Sequence, residues 1–359
     1  MSPSGEREAC ISREDRIDAV ALALLPGVGP RAYRQRVAAF SSAAEAFRAT
    51  VGFREQGRAR DEARHMSDDG ARCGARLLLL DDADYPAALR HLGDPPPFVF
   101  VVGDLTLVER PCVAIVGTRR ATPYGERATS SIVAGLADAG VCIVSGMARG
   151  IDAAAHRQAL TRRGCTIAVL GTGVDVPYPV GHRALHREIA EHGLLISEFP
   201  CGARAARASF PRRNRIIAAL ARLTIVVEAG EGSGALITAE HATDLGRDIA
   251  AVPGPIDAPQ SARSNQLIRD GAHAILGADD ALTLVGLRDA GVRPFPIEPQ
   301  LYGDERAVWN ALAGGAADLD WVVANTALEP KRALAAVTSL ELSGLVETSP
   351  IGDLRRRRG

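Results

Sequence analysis

An arginine-rich stretch in the middle of the chain is the feature whose residue types point most directly to chemistry. Positions 199–227 hold six arginines and no aspartate or glutamate, in a chain whose formal net charge is −1. Guanidinium groups bind phosphates in a bidentate manner, and an aromatic ring can stack on an unpaired base. The stretch therefore predicts an anion site suited to single-stranded nucleic acid; a solvated, arginine-rich helix start is the alternative. Its central residues are Phe210, Pro211, Arg212, Arg213, Asn214 and Arg215.

Small and polar residues also follow several β-rich runs on either side of this stretch. Ligands of open α/β sheets bind outside the carboxyl ends of the strands. Glycine-bounded helix N-termini there offer backbone amides and a positive dipole end. These loops are therefore predicted to seat phosphate together. The residues are Gly117, Thr118 and Arg119 after the first run, Ser145, Gly146 and Arg149 after the second, and Ser233, Gly234 and Thr238 after the fifth.

Signatures of nucleotide and hydrolytic enzymes fit these loops poorly. Gly230, Gly232 and Ala235 match G-x-G-x-x-A, but the next strand does not end in the acidic residue that would hold a ribose hydroxyl. The sequence has no G-x-x-x-x-G-K-[ST] and no G-x-S-x-G. P-loop hydrolysis of ATP and a nucleophile elbow are therefore not predicted, and neither a catalytic residue nor a cofactor is assigned.

Two pairs of residues four apart could still do chemistry. Asp152 and His156 could form an acid/base pair, although Asp152 could equally cap its helix and His156 could simply pack. His182 and His186 could share a metal ion, but no H-E-x-x-H surrounds them. We interpret the first pair as structural and the second as surface residues, so no metal site is predicted.

The elements that must position these residues follow from hydrophobic periodicity. Between about Arg110 and Leu284, β-rich runs alternate with helical ones, which predicts βαβ units in a parallel sheet covered on both faces. The predicted strands are 113–116, 141–144, 166–170, 194–197, 223–227 and 248–252.

Six segments are predicted along the 359 residues. A tight turn at 25–30 interrupts the first helical region; we interpret it as a purely structural turn, although it resembles a helix-hairpin-helix turn, whose glycine amides can approach a phosphate. The segments are a disordered N-terminus (1–16), a helical domain (17–75), the sheet domain (76–289), a proline-rich linker (290–303), a module with the size of a winged helix (304–350) and a basic tail (351–359).

Composition limits the class of protein. Apolar residues make up 47% of the chain and charged residues 24%, as in soluble globular proteins. Neither a signal peptide nor an uninterrupted apolar stretch of spanning length is present. The six cysteines are scattered without a disulfide-like or zinc-like spacing, so they are predicted to be buried thiols of a cytoplasmic protein with no membrane segment.

Taken in order, these motifs resemble the DNA-processing protein A (DprA/Smf) family over about residues 17–284. The most specific elements are FPxRNRII at 210–217 and SGxAxGID at 145–152. The resemblance implies an extended Rossmann-like, doubly wound and mostly parallel sheet, with an N-terminal sterile-alpha-motif-like helical domain and a C-terminal winged helix. It also implies a non-enzymatic homodimer that binds single-stranded DNA and loads the RecA recombinase onto it in natural transformation or recombination.

The resemblance implies a role for each residue of the DNA site. Phosphate contacts fall on Arg119, Arg213 and Arg215, while the loops at Gly117 and at Ser145-Gly146 supply backbone donors. Phe210 braces the pocket or stacks on a base, and Asn214 fixes the turn. The rim is completed by Ser233, Gly234 and Thr238.

Two residues depart from the family pattern. Arg263 stands where the family commonly has glycine, in a segment used near its dimer contact, and His182 stands where asparagine is usual. The geometry of a dimer is therefore left open by the sequence.

Two functions of other classes remain as alternatives. A nucleotide-processing enzyme similar to the phosphoribohydrolases would explain the glycine-rich loop followed by Thr238 and Glu240. A regulator that binds duplex DNA would use the winged helix, but its candidate recognition segment, 330–342, carries only Lys331 and Arg332 as basic residues.

Overall fold

The computed structural model describes residues 12–288, 301–315, 317–349 and 352–356. The chain divides into two compact units, Met1–Ala290 and Gly291–Gly359. The helical and sheet regions predicted at 17–75 and 76–289 both fall in the first unit. Most of the predicted linker, 290–303, lies outside the described residues.

The first unit begins with helices that pack around the fully buried Leu22 and Phe47. The hydroxyl of Ser12 accepts a hydrogen bond from the Asp15 amide and so caps the first helix. Residues 13–16 are consequently helical, which corrects the predicted disordered N-terminus (1–16) for those positions. The helices are α1 (Arg13–Leu24), α2 (Pro30–Val37), α3 (Ala43–Thr50) and α4 (Phe53–Arg72).

The turn between α1 and α2 is the one that resembles a helix-hairpin-helix turn. The Val28 amide donates to the Leu25 carbonyl at 3.0 Å, and Gly27 has φ +77°. Leu25 and Val28 are both buried, so these contacts already explain the turn as a structural one.

A nine-stranded sheet forms the centre of the first unit, as far as the chain is described. Its strand order is β1-β2-β6-β5-β4-β3-β7-β8-β9. All pairings from β6 to β9 are parallel, whereas β1 and β2 pair antiparallel at one edge. The strands are β1 (Arg76–Leu79), β2 (Phe98–Gly103), β3 (Cys112–Val116), β4 (Cys142–Ser145), β5 (Thr166–Val169), β6 (Leu194–Ser197), β7 (Leu223–Val226), β8 (Asp248–Ala251) and β9 (His273–Ala274).

Helices cover both faces of this sheet because the side chains of each strand alternate between two apolar cores. In β3, for example, Val113 and Ile115 pack with one buried cluster, while Ala114 and Val116 pack with another. The helices are α5 (Ala87–Arg90), α6 (Pro123–Asp138), α7 (Ile151–Thr161), α8 (Arg183–His192), α9 (Ser209–Leu220), α10 (Ala235–Asp244), α11 (Ala262–Arg269) and α12 (Ala278–Leu284).

The described part of the second unit has three α-helices and a hairpin around Val308, Trp309 and Val337. Leu354 is buried while Arg355 pairs with Glu347 across the hairpin, so part of the predicted basic tail (351–359) is a strand instead. Arg332 of the candidate recognition segment is ion-paired with Asp304. The elements are α13 (Gly303–Ala311), α14 (Leu319–Thr326), α15 (Pro330–Leu342), β10 (Val346–Thr348) and β11 (Leu354–Arg356).

The architecture confirms the predicted fold class. The first unit has an N-terminal helical region and a mostly parallel, Rossmann-like sheet, and the second unit has a winged-helix arrangement. All six predicted strands are present, and no predicted end differs from the observed one by more than one residue. Strands β1, β2 and β9 were not predicted.

Candidate nucleic-acid interface

The loops that follow β3, β4, β5 and β7 meet where these strands have their carboxyl ends. We call these loops the rim (117–122, 146–150, 170–179 and 227–234). Strand β3 has β4 on one side and β7 on the other, so the strand order reverses here. The Thr118 amide donates to the Glu228 carbonyl at 2.7 Å and ties two of these loops together. The rim is therefore the topological switch point at which open α/β sheets bind ligands.

Two glycines allow the rim loops to pack closely. A Cβ atom on Gly146 would lie 2.4 Å from the Arg213 guanidinium, and one on Gly117 would lie 2.6 Å from the Ile151 side chain. The Gly146 amide, predicted to bind phosphate, donates to Asp152 Oδ2 at 3.2 Å. The predicted loop residues thus come together, but their closest partners are protein groups.

Asp152 is the buried acceptor for the loop that follows β4. Its carboxylate also accepts from the Ala148 amide at 3.3 Å, so it closes this loop at the start of α7. Burial raises the pKa of Asp152, and the positive charge of Arg213 opposes that shift. Ser145, another predicted site residue, is fully buried and donates its hydroxyl to the Ile115 carbonyl.

Arg213 lies inside the protein, at 4% exposure. Its guanidinium donates to the Gly146 carbonyl at 2.6 Å, to the Val169 carbonyl, and to Asn214 Oδ1 at 3.1 Å. Burial lowers the pKa of Arg213 to about 10, so the side chain remains charged at neutral pH. These bonds use Nη1 and Nε, so a phosphate contact of Arg213, as the sequence predicts, would fall to Nη2.

Arg215 is likewise buried and occupied. It donates to Glu198 Oε2 at 2.6 Å and to the Asp94 carbonyl at 2.8 Å. The same Glu198 oxygen lies 2.9 Å from the guanidinium of Arg212, whose side chain is 46% exposed. Burial raises the pKa of Glu198, and the two arginines oppose that shift. Of the three arginines in the FPxRNR motif, only Arg212 faces solvent.

An exposed cation and two aromatic rings lie next to each other on the rim; we call Arg119, Tyr178 and Phe210 the rim cluster. The rings of Tyr178 and Phe210 have centroids 5.2 Å apart, tilted by 36°. The guanidinium of Arg119 lies 5.3 Å from the Phe210 ring centre. Arg119 and Tyr178 are exposed and Phe210 is half-buried. This cluster offers both charge and stacking surface to a ligand.

The remaining predicted residues lie near the start of α7, α9 or α10. Asn214 donates its side-chain amide to the Gly234 carbonyl at 3.2 Å, which joins the two helices. Ser233 is half-buried with its hydroxyl near the Ala235 amide, while Thr238 is buried. Arg149 is exposed in the loop after β4, immediately before Gly150, whose Cα faces the Thr118 carbonyl.

Sequence reasoning left Tyr178 and Arg212 out of the predicted site. Tyr178 lies between two prolines, and its partner Phe210 is remote in sequence. Arg212 belongs to the same hexapeptide as Arg213 and Arg215, and helical phase does not distinguish it. Positions 213–220 of α9 are buried on every side of the helix, whereas Arg212 is exposed in its first turn.

The three histidines considered as acid/base or metal-binding residues form hydrogen bonds to other groups of the protein. His156 is fully buried, and its Nδ1 lies 2.7 Å from the Thr166 hydroxyl, which itself donates to the Ile143 carbonyl. His182 Nδ1 lies 3.1 Å from the Met147 carbonyl, and His186 Nε2 lies 2.8 Å from the Val174 carbonyl. Each ring therefore has a partner other than the residue four positions away.

Burial of His156 makes the stability of the protein depend on pH. Burial lowers the pKa of His156 to about 3, whereas the unfolded chain titrates near 6.5. The unfolded state therefore binds the extra proton as the pH falls below 6.5, and stability is lost. We expect wild type to lose about 2 kcal/mol more than the His156→Gln variant between pH 7 and pH 5, measured by urea unfolding. The same pH dependence in both proteins would contradict a buried neutral imidazole.

Within the described ranges, no helix is both long and apolar enough to cross a bilayer.

Protein-family models match the chain on both sides of the predicted linker. The model described as DNA recombination-mediator protein A matches residues 76–286. The model described as DprA winged helix domain matches residues 293–350.

Relatives from several bacteria resemble the chain over most of its length. A Mycobacterium tuberculosis protein, provisionally named DNA processing protein DprA, is 40% identical and covers 97% of this chain and 93% of its own length. The DNA processing protein DprA of Streptococcus pneumoniae is 43% identical over 57% of this chain and 72% of its own. The Smf protein of Escherichia coli is 37% identical over 79% and 78%.

Solved structures give the same result. The X-ray structure of DprA from Streptococcus pneumoniae superimposes with a TM-score of 0.63 at 33% identity, covering 75% of this chain and 94% of the other. The structure of DprA from Helicobacter pylori, described for its single-stranded DNA binding mode, superimposes with a TM-score of 0.53 at 32% identity, covering 58% and 94%. By its sequence, its fold and the motifs at its rim, the chain belongs to the DNA-processing protein A (DprA/Smf) family.

Proposed function

We propose that this protein binds single-stranded DNA along the rim and passes it to a RecA-type recombinase, acting as a binding protein and not as an enzyme. The observation that carries the proposal is the rim cluster. Its guanidinium and two aromatic rings lie within about one base diameter of each other, on the edge where open α/β sheets bind ligands.

The rim cluster suits an unpaired strand better than a duplex. Stacking on an aromatic ring requires a base whose face is accessible, which pairing and stacking in a duplex prevent. Arg119 would bind an adjacent phosphate, and the exposed Arg149 and Arg212 would extend the positive surface along the strand. Such contacts grip the backbone and do not read base edges, so the binding would be largely independent of sequence.

The buried arginines have a different role in this proposal. Arg213 binds the carbonyls at the ends of β4 and β5, and Arg215 joins α9 to Glu198 after β6. Both thereby fix the first turn of α9, from which Phe210 and Arg212 project. Gly117, Thr118, Ser145, Gly146, Asn214, Ser233, Gly234 and Thr238 would form the supporting frame of the same surface.

Delivery to RecA and homodimer formation rest on membership of the family. Arg263, at the segment associated with the dimer contact, donates to Gln266 at 2.6 Å and is paired with Glu231 at 2.9 Å. The positive charge of Arg263 is therefore paired with a carboxylate of the same chain. This arrangement is compatible with a dimer contact that tolerates arginine in place of glycine.

A competition between single-stranded and duplex oligonucleotides tests the proposal. We expect clear preference for single strands and a fall in affinity with salt, with a log-log slope of roughly −0.7 for each phosphate neutralised. If single strands are preferred, the rate of RecA filament nucleation on the same strands should rise when the protein is added.

The nucleotide-enzyme alternative predicts a different outcome in the same preparation. Equal or absent binding of both oligonucleotides, together with release of free base from nucleoside monophosphates, would contradict the proposal and support a phosphoribohydrolase-like activity.

A further inference from the structure

Two thiols and a carboxylate from distant parts of the sequence converge at one point of the first unit. The sulfurs of Cys73 and Cys201 and a carboxylate oxygen of Asp175 all lie within 4.8 Å of one another. Among the described residues, this is the one group of three or more such side chains close enough to hold a metal ion. We propose that Cys73, Asp175 and Cys201 bind a thiophilic divalent cation such as Zn²⁺.

The ligand spacing fits such an ion. Zinc binds thiolate sulfur at about 2.3 Å and carboxylate oxygen at about 2.0–2.2 Å, so ligands in a tetrahedral site lie about 3.5–4 Å apart. The Cys73 sulfur is 3.7 Å from Asp175 Oδ2, already within that spacing. Three protein ligands leave the fourth position to a solvent molecule, an arrangement that zinc commonly adopts.

The backbone holds two of the three ligands in place. The Gly202 amide donates to both oxygens of Asp175, at 2.9 and 3.0 Å. The Gly173 amide donates to the Ala203 carbonyl at 2.9 Å, which joins the loop that carries Asp175 to the loop that carries Cys201. A hydrogen bond of this kind orients a ligating carboxylate and is a usual second contact around bound metals.

The location gives the site a structural consequence. Cys73 ends α4, the last N-terminal helix, while Asp175 and Cys201 follow β5 and β6. A bound ion would link the N-terminal helical region to the loops that follow β5 and β6. The loop after β6 then leads into α9, which carries Phe210.

Cobalt titration of the fully reduced protein tests the site, because Co²⁺ bound by thiolate gives a sulfur-to-metal charge-transfer band. All proteins would carry Cys10→Ser, since Cys10 lies outside the described residues. We expect one Co²⁺ per chain, displaced by Zn²⁺, and a rise in melting temperature with Zn²⁺. The Cys73→Ser and Cys201→Ser variants should bind at least about tenfold more weakly, since even the partners of ligands contribute about 10–100-fold.

Cys165→Ser is the matched control, because this partly buried thiol precedes β5 at the opposite edge of the sheet. It should retain the band and the affinity of the parent protein.

The Asp175→Asn variant should keep a thiolate band with weaker binding. The proposal is overturned if the reduced parent gives no charge-transfer band, if Cys201→Ser retains it at full affinity, or if the two thiols are already joined as a disulfide that resists reduction.

Discussion

The Phe210→Ala variant is expected to bind single-stranded DNA roughly 5- to 150-fold more weakly than wild type. Stacking of a base on an aromatic side chain contributes about 1–3 kcal/mol, and removal of the ring also withdraws the surface on which Arg119 and Tyr178 pack. Fluorescence anisotropy with a labelled oligonucleotide at two salt concentrations would measure the loss. The salt slope should stay close to that of wild type, because no charge is removed.

Arg119→Ala separates charge from stacking in the same assay. It should reduce both the affinity and the salt slope, the slope by about 0.7 if one phosphate contact is lost. Arg222→Ala is the matched control, since this exposed arginine precedes β7 at the opposite edge of the sheet from the rim. If Phe210→Ala and Arg119→Ala bind as Arg222→Ala does, the DNA does not lie on the rim cluster.

The Arg213→Ala variant is expected to lose about 3–5 kcal/mol of stability, a loss typical of removing one partner from a buried charged network. The substitution leaves the Gly146 and Val169 carbonyls without their donor and Asp152 without the nearby positive charge. Urea unfolding would measure the change. Arg222→Ala should stay within about 0.5 kcal/mol of wild type, as surface substitutions usually do.

A second substitution shows whether the charge of Asp152 causes part of that loss. Asp152→Asn keeps an oxygen that can accept from the Gly146 and Ala148 amides but removes the charge. In the Arg213→Ala background it should recover about 0.5–3 kcal/mol relative to the sum of the single changes. An Arg213→Ala protein as stable as wild type that nevertheless fails to bind single strands would instead give Arg213 a direct phosphate contact.

The fold was largely predictable because its strands are short apolar runs separated by strong helix and turn signals. The six predicted strands lie in the parallel part of the sheet, where burial on both faces produces continuous apolar sequence. Strands β1 and β2 escaped prediction since they precede the regular alternation and pair antiparallel at the edge. Strand β9 has only two residues, both exposed, and so leaves no apolar pattern.

The site was predictable by region but not by side chain. The sequence placed six arginines together, yet it could not tell that Arg213 and Arg215 point inward to carbonyls and to Glu198, while Arg212 points outward. That division depends on partners 17 to 121 positions away in the sequence. The same holds for Cys73 and Cys201. They were predicted to be buried thiols, whereas the structure exposes the first and half-exposes the second. They come together only when the end of α4 meets the loops that follow β5 and β6.

The Asp152 carboxylate occupies backbone amides that a ligand phosphate could otherwise bind at the carboxyl end of β4. In nucleotide enzymes, amides at the start of a helix are kept for the phosphate of the ligand. Here the amides of Gly146 and Ala148 are already taken by a tethered anion, whose high effective concentration a free mononucleotide would have to overcome. Under the proposed function, recognition would therefore occur on the outer surface, where a polymer can be held at several points at once. We therefore expect occupancy to follow the supply of long unpaired strands and to be insensitive to the cell's pool of free nucleotides.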